Sequence, residues 1–185
     1  PVSFELDKER GYIRRREIET SLWRIVELAK EEKADVLLIA GDMFEHTYTG
    51  ASWIKDALML FSTILNTQVF ISPGNHDPLL PDSLYLSTDW PSNVVVFQSN
   101  KPSKVSLDAL NLDIYGLGWR AYIERRRPFE GFRVFEQSRR SIVLAHGDLR
   151  KDSEYMPISE EDIAYSRVDY FALGHIHTPF MKDIG

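Results

Sequence analysis

Cysteine is absent from the 185 residues, which excludes disulfides, zinc–thiolate sites and cysteine nucleophiles. A chain without cysteine fits a reducing compartment, and a cytoplasmic location is the expectation. No apolar stretch approaches the ~20 residues of a membrane span, and Pro1 opens no signal peptide. Positive charge is also in short supply. The formal net charge is −6, which argues against a broadly basic, nucleic-acid-coating surface. The arginines that exist are clumped, as Arg14–Arg16, Arg125–Arg127 and Arg139–Arg140. Such runs are ordinarily solvated faces, with phosphate contact as the alternative. Repeats, low-complexity segments and long linkers are missing too, so residues 1–185 read as one domain with room for a sizeable core.

What is present is a series of apolar runs, each ending in a polar motif. Val36–Ala40 leads into Gly41-Asp42, and Val69–Ser72 into Gly74-Asn75-His76-Asp77. Ile142–Ala145 leads into His146-Gly147, and Tyr170–Leu173 into Gly174-His175-Ile176-His177. Four of the five histidines fall in these motifs. Ligands collect beyond the carboxyl ends of strands in α/β sheets, so the four motifs read as one scattered ligand set.

Helical periodicity over Ile13–Glu32 (Ile18, Leu22, Ile25, Val26, Leu28, Ala29) predicts an amphipathic helix before the first strand. Ser52 is the expected N-cap of a second helix bearing Ile54, Ala57, Leu58, Phe61, Ile64 and Leu65. Short strands are predicted at Val94–Phe97, Val105–Leu107 and Leu112–Tyr115, the last leaving through a Gly116–Trp119 turn. Ser159-Glu160-Glu161-Asp162 reads as a capped helix start. The alternation gives a layered α/β domain with some antiparallel strands in the middle.

The chemistry of each motif has a plain rival. Gly41 allows a sharp turn that projects Asp42, a hard anionic oxygen suited to bridging divalent cations, yet Gly-Asp alone is equally a turn aspartate. In Gly74–Asp77 the Asn75 carbonyl is a neutral hard ligand and His76 can protonate a departing alkoxide. Pro73 and Pro78 hold that loop open. His146 alone would more often be a hydrogen-bonded structural histidine. His175 and His177, two residues apart in extended chain, would share one face. Glu45 is placed to orient His76 and support its protonated form, or else is a solvated carboxylate. His46 reads as a surface or supporting residue, not a ligand.

These four motifs, in this order, resemble the calcineurin-like metallophosphoesterases over nearly the whole chain. Leu38–Phe44 and Tyr170–Pro179 are similar to the SbcD-type DNA repair exonucleases, including the YhaO-like branch. The resemblance implies a four-layer α/β/β/α sandwich with two divalent metal ions at its rim, usually Mn²⁺, with Fe²⁺, Zn²⁺ or Mg²⁺ as other candidates. By that resemblance Asp42 bridges both ions, Asn75, His146 and His175 bind one, His177 binds the other, and His76 is the catalytic non-ligand. The family's opening Asp-x-His motif has no counterpart here, since Asp7 is followed by Lys8 and Glu9. The expectation is a domain truncated at both ends, the alternative being natural loss of one metal site.

The function this implies is hydrolysis of DNA phosphodiesters by a water activated between two cations ~3.5–4 Å apart. The alternatives are a phosphoesterase for a nucleotide or other small phosphodiester, and a degenerate, non-catalytic binding module. Related nucleases form homodimers and work with an SbcC-like coiled-coil ATPase. The helix around Ser52–Asn66, with an exposed Trp53 as anchor, is the candidate dimer face, though core packing is the simpler explanation of its apolar side.

Overall fold

The computed structural model describes residues 20–46 and 51–184. Within them lie four α-helices and seven strands: α1 (residues 20–31), β1 (Val36–Ile39), α2 (Ala51–Ser62), β2 (Gln68–Ile71), α3 (Leu84–Ser87), β3 (Val94–Val96), β4 (Ser103–Leu107), β5 (Leu112–Gly116), β6 (Arg140–His146), α4 (Glu160–Ser166) and β7 (Tyr170–Gly174). The first sheet has the parallel order β1-β2-β3. The second has the order β4-β5-β6-β7, with only the β4–β5 pair antiparallel. Residues 13–19 of the first expected helix, and Arg14–Arg16, lie outside the described residues.

Parallel strands are buried on both faces, and the alternation of side chains shows what covers each. Val69 and Ile71 of β2 pack with Leu22 and Val26 of α1 and with Ile54, Ala57 and Phe61 of α2. Phe70, pointing the other way, meets Phe97, Ile114 and Leu144 in a layer between the two sheets. On the far side of the second sheet, Val143, Ala145, Phe171 and Leu173 pack against Ile163 of α4 and against Phe129 and Trp119. Three apolar layers between four structural layers make this the α/β/β/α sandwich that the resemblance implied.

Local sequence accounts for the helix ends. Lys33 takes φ 50°, and the bonds Ala34 N–H to Ala29 O (2.8 Å) and Lys33 N–H to Lys30 O (3.2 Å) close α1 as a Schellman turn. Ser159 and Asp162 exchange reciprocal side-chain to backbone bonds of 3.1 Å at the start of α4, a capping box. At α2 the expectation fails: the helix begins at Ala51, so Ser52 lies inside it and is not the cap. For Trp53 the core-packing reading holds and the exposed-anchor reading does not. It is buried against Phe44, with ring centroids 5.6 Å apart, and offers no exposed anchor. Ile25 and Leu28 of α1 are exposed, to one side of the Leu22–Val26–Ala29 stripe. Among the described residues no helix is long and apolar enough to cross a membrane.

Because β1, β2, β6 and β7 all run parallel within their sheets, the residues following them gather at one rim. That rim carries the chemistry.

Candidate metal centre

At the end of β1 the chain turns through two left-handed residues, Gly41 (φ 84°) and Asp42 (φ 53°). For a non-glycine residue that conformation costs about 1–2 kcal/mol, so something must hold it. Asp77 does. Its fully buried carboxylate accepts N–H bonds from Asp42 (3.2 Å), Met43 (2.7 Å), Phe44 (3.3 Å) and Gly74 (2.6 Å), and the Tyr85 hydroxyl donates to it at 2.6 Å. The Asp42 turn and the Asn75–His76 loop are thus tied to one anion. Burial pushes the Asp77 carboxyl up from its ordinary value, against the opposing pull of Tyr85 and these backbone donors.

Asp42 then faces the second sheet. Its Oδ1 accepts the His76 N–H at 2.9 Å, and its Oδ2 lies 3.2 Å from His146 Nε2. His146, buried at the end of β6, donates from Nδ1 to the Ala40 carbonyl at 2.8 Å. In the neutral ring this leaves a lone pair on Nε2. Around that atom stand Asn75 Oδ1 at 2.9 Å, Asp42 Oδ2 and His175 Nδ1 at 3.3 Å.

An imidazole nitrogen ringed by a carboxylate oxygen, an amide oxygen and a second imidazole nitrogen is a donor set suited to a cation. One ligand atom from each of Asp42, His146 and His175 falls within 4.8 Å of the others. Ligands ~2.1 Å from a common cation stand ~3–3.5 Å apart, and Asn75, Asp42 and His175 lie 2.9–3.3 Å from His146 Nε2. Two nitrogens with two oxygens suit a first-row divalent cation, so the residues fit the group. Among the described residues no second such group of His and carboxylate ligands occurs.

The electrostatics agree. Burial raises the Asp42 carboxyl, but the hydrogen bond and charge of His146, with His76 behind them, outweigh it and hold the group below the usual carboxylate range. Burial, reinforced by His146, pushes the His175 imidazole down and keeps it neutral, as a ligand must be. His76 moves the other way. The hydrogen bond that its Nδ1–H donates to Glu45 Oε2, at 2.7 Å, raises it despite partial burial, with Asp42, Glu45 and Asp77 adding their charges. Its side chain is 56% exposed at the rim.

His177 is not drawn into the cluster. The expectation of one shared face for His175 and His177 assumed extended chain, but β7 ends at Gly174 and His175 turns with φ 94°. His177 is exposed beyond that turn. His46 is less superficial than expected: its side chain is 11% exposed, with Nε2 3.3 Å from Asp82 Oδ1, and its N–H donates to the His76 carbonyl at 2.8 Å. Of the clumped arginines among the described residues, four pair with carboxylates of the chain. Arg125 pairs with Glu154, Arg126 with Glu124, Arg127 with Asp162, and Arg139 with Asp113.

Sequence reasoning missed Asp77, Tyr85, Trp119 and Tyr155. The Trp119 indole N–H donates to the His146 carbonyl at 2.7 Å, and Tyr155 stacks on His175 with centroids 4.8 Å apart. Asp77 carried one legible signal, a carboxylate closing the Gly74–Asp77 motif before Pro78. Tyr85 lies eight residues beyond it, and the partners of Trp119 and Tyr155 lie farther off in sequence.

Comparison with known proteins adds identity to this geometry. The calcineurin-like phosphoesterase family profile matches residues 17–179. The chain is 29% identical over 168 residues to the "Uncharacterized metallophosphoesterase YhaO" of Bacillus subtilis (strain 168), covering 85% of this chain and 40% of that protein. It is 29% identical over 185 residues to the "DNA double-strand break repair protein Mre11" of Aeropyrum pernix, covering 91% of this chain and 45% of that protein. The chain therefore spans less than half the length of either relative. The family match runs from α1 to just past His177, and the chain belongs to the calcineurin-like phosphoesterases, hydrolases that depend on divalent metal ions.

Proposed function

We propose that this chain carries the catalytic centre of a DNA phosphodiesterase working with Mn²⁺. The observation that carries the reading is the convergence of Asp42, Asn75 and His175 on His146 Nε2 from four strand ends. These four residues would hold one cation, and the second Asp42 oxygen, with His177, would serve another. Bound there, divalent cations polarise a phosphoryl oxygen and make a water acidic enough to attack near neutral pH. His76 stands outside the ligand set. Glu45 engages its Nδ1, so Nε2–H is the proton available to the leaving sugar oxygen. DNA as substrate is supported by the likeness to a protein named for DNA double-strand break repair. The homodimer and the coiled-coil ATPase partner stay in the proposal on the family resemblance alone.

The test is hydrolysis of linear duplex DNA and of a small chromogenic phosphodiester, both in Mn²⁺. The native chain is expected to degrade DNA. His76→Ala should lose about 10²-fold or more of that rate while binding Mn²⁺ as before. Turnover of the small diester without DNA would favour the small-substrate reading. Joint loss of activity and Mn²⁺ would make His76 a ligand.

A further inference from the structure

The Gly116-Leu117-Gly118-Trp119 segment leaves β5 and lies along the loop that carries Asn75 and His76. Trp119 N–H donates to the Pro73 carbonyl at 3.2 Å, and its own carbonyl accepts Leu79 N–H at 2.8 Å, so its backbone brackets the loop on both sides. One step earlier, the Ser72 hydroxyl donates to the Leu117 carbonyl at 2.6 Å. A Cβ at Gly118 would stand 2.4 Å from the Phe97 carbonyl oxygen, so glycine lets this segment pass the end of β3.

The Trp119 side chain reaches the other way, into the second sheet. It is fully buried. Its indole N–H holds the His146 carbonyl, and its ring lies edge-on to the His146 imidazole, with centroids 5.8 Å apart. Its opposite contact is the Tyr155 ring at 6.3 Å, near parallel, and Tyr155 in turn covers His175. One residue therefore touches the Asn75 loop and His146 directly and reaches His175 through the Tyr155 ring.

We infer that Trp119 is a positioning residue for the metal cluster, keeping His146 and His175 in register with the Asn75 loop of the opposite sheet. The inference rests on the metal reading given above. Trp119 touches no cation itself and acts through His146 and, by way of Tyr155, through His175. Partners of this kind typically change metal affinity 10–100-fold when removed.

The experiment compares the native chain with Trp119→Phe, Tyr155→Leu and Tyr155→Phe. A Phe61→Leu variant serves as a control in the separate core under α2. Each is measured for thermal stability, Mn²⁺ affinity and the visible absorption of bound Co²⁺, which reports ligand geometry. Trp119→Phe is expected to weaken Mn²⁺ binding about 10-fold and shift the Co²⁺ bands. Tyr155→Leu should shift them as well, whereas Tyr155→Phe, which keeps the ring, should restore the native spectrum. Phe61→Leu should lower stability and leave both readouts alone. Should Trp119→Phe fail to fold, the half-buried Tyr155 pair still decides. Native affinity and spectrum in both Trp119→Phe and Tyr155→Leu, or equal changes in Phe61→Leu, would overturn the inference. A native chain that takes up no Co²⁺ or Mn²⁺ would overturn the metal reading, and the inference with it.

Discussion

Replacing Asp77 with Asn changes almost no volume and removes one charge, so its cost isolates the clamp on the two ligand loops. Oδ2 serves three donors (Met43, Phe44, Tyr85) and Oδ1 serves two (Asp42, Gly74). The amide settles with its oxygen on the three-donor side, and its NH₂ then confronts the N–H groups of Asp42 and Gly74. Two orphaned buried N–H groups cost about 1–3 kcal/mol each. Against this stands the relief of no longer burying a carboxylate whose own pKa burial has raised. The net expectation is about 2–4 kcal/mol, or a melting temperature lower by ~5–15 °C at ~2–4 °C per kcal/mol for a chain of this size. Because the orphaned groups belong to the Asp42 turn and the Asn75 loop, Mn²⁺ affinity should fall with it. Tyr85→Phe, which removes one of five donors, should cost about 1–2 kcal/mol. Thermal unfolding by circular dichroism and an Mn²⁺ titration are the assays. An Asp77→Asn protein melting within ~2 °C of native, with native Mn²⁺ affinity, would refute the clamp.

Two further outcomes follow from the coordinates. A Cβ at Gly174 would lie 1.8 Å from the Ala40 carbonyl oxygen, while at Gly131 (φ 71°) it would meet nothing within 4 Å. Gly174→Ala should therefore cost about 3 kcal/mol or more by overpacking and Gly131→Ala about 1 kcal/mol; urea midpoints closer together than ~1 kcal/mol would refute the clash. In acid, burial raises the Asp162 carboxyl, but the Ser159 N–H and Arg127 outweigh it; for Asp113, Ser106, Lys104 and Arg139 do the same. Both folded pKa values lie below the unfolded ones, so this stability is present above the ordinary carboxylate pKa of ~3.9 and lost as pH falls through the folded values. Melting temperature should drop from ~pH 4 downward, and Asp162→Asn should flatten that drop; an unchanged slope would count against it.

The sandwich was legible because strands buried on both faces read as unbroken apolar runs. Val36–Ala40, Val69–Ser72, Ile142–Ala145 and Tyr170–Leu173 each contain or closely overlap an observed strand. The polar motif that closes each run was legible for the same reason: it marks where the run meets water. What could not be read were contacts between distant segments. Trp53 is apolar on an amphipathic helix, and only the position of Phe44, in the turn after β1, decides that it is buried. The Asp77 donors at Asp42–Phe44 lie 33–35 residues away. Trp119 and the His146 carbonyl are separated by 27. The His175–His177 expectation failed on a single backbone angle, which no side-chain pattern encodes.

That angle also revises what the motif glycines do. Flexibility is the ordinary argument for a glycine beside a ligand, and Gly41, at φ 84°, needs it. Gly174 does not; the left-handed turn after β7 is taken by His175 itself. A Cβ on Gly174 would strike the Ala40 carbonyl, and one on Gly74 would lie 2.3 Å from Asp42 Oδ1. These two glycines supply clearance, each where a backbone from one strand end passes against a ligand segment from another. The Ala40 carbonyl that would collide with residue 174 is also the acceptor for His146 Nδ1–H. The close approach that demands a glycine at 174 therefore also fixes which His146 nitrogen faces the ligand cluster. Sheet-to-sheet packing and ligand chemistry meet in that one carbonyl, and a change that spreads the sheets there should release the His146 tautomer before it unfolds the domain.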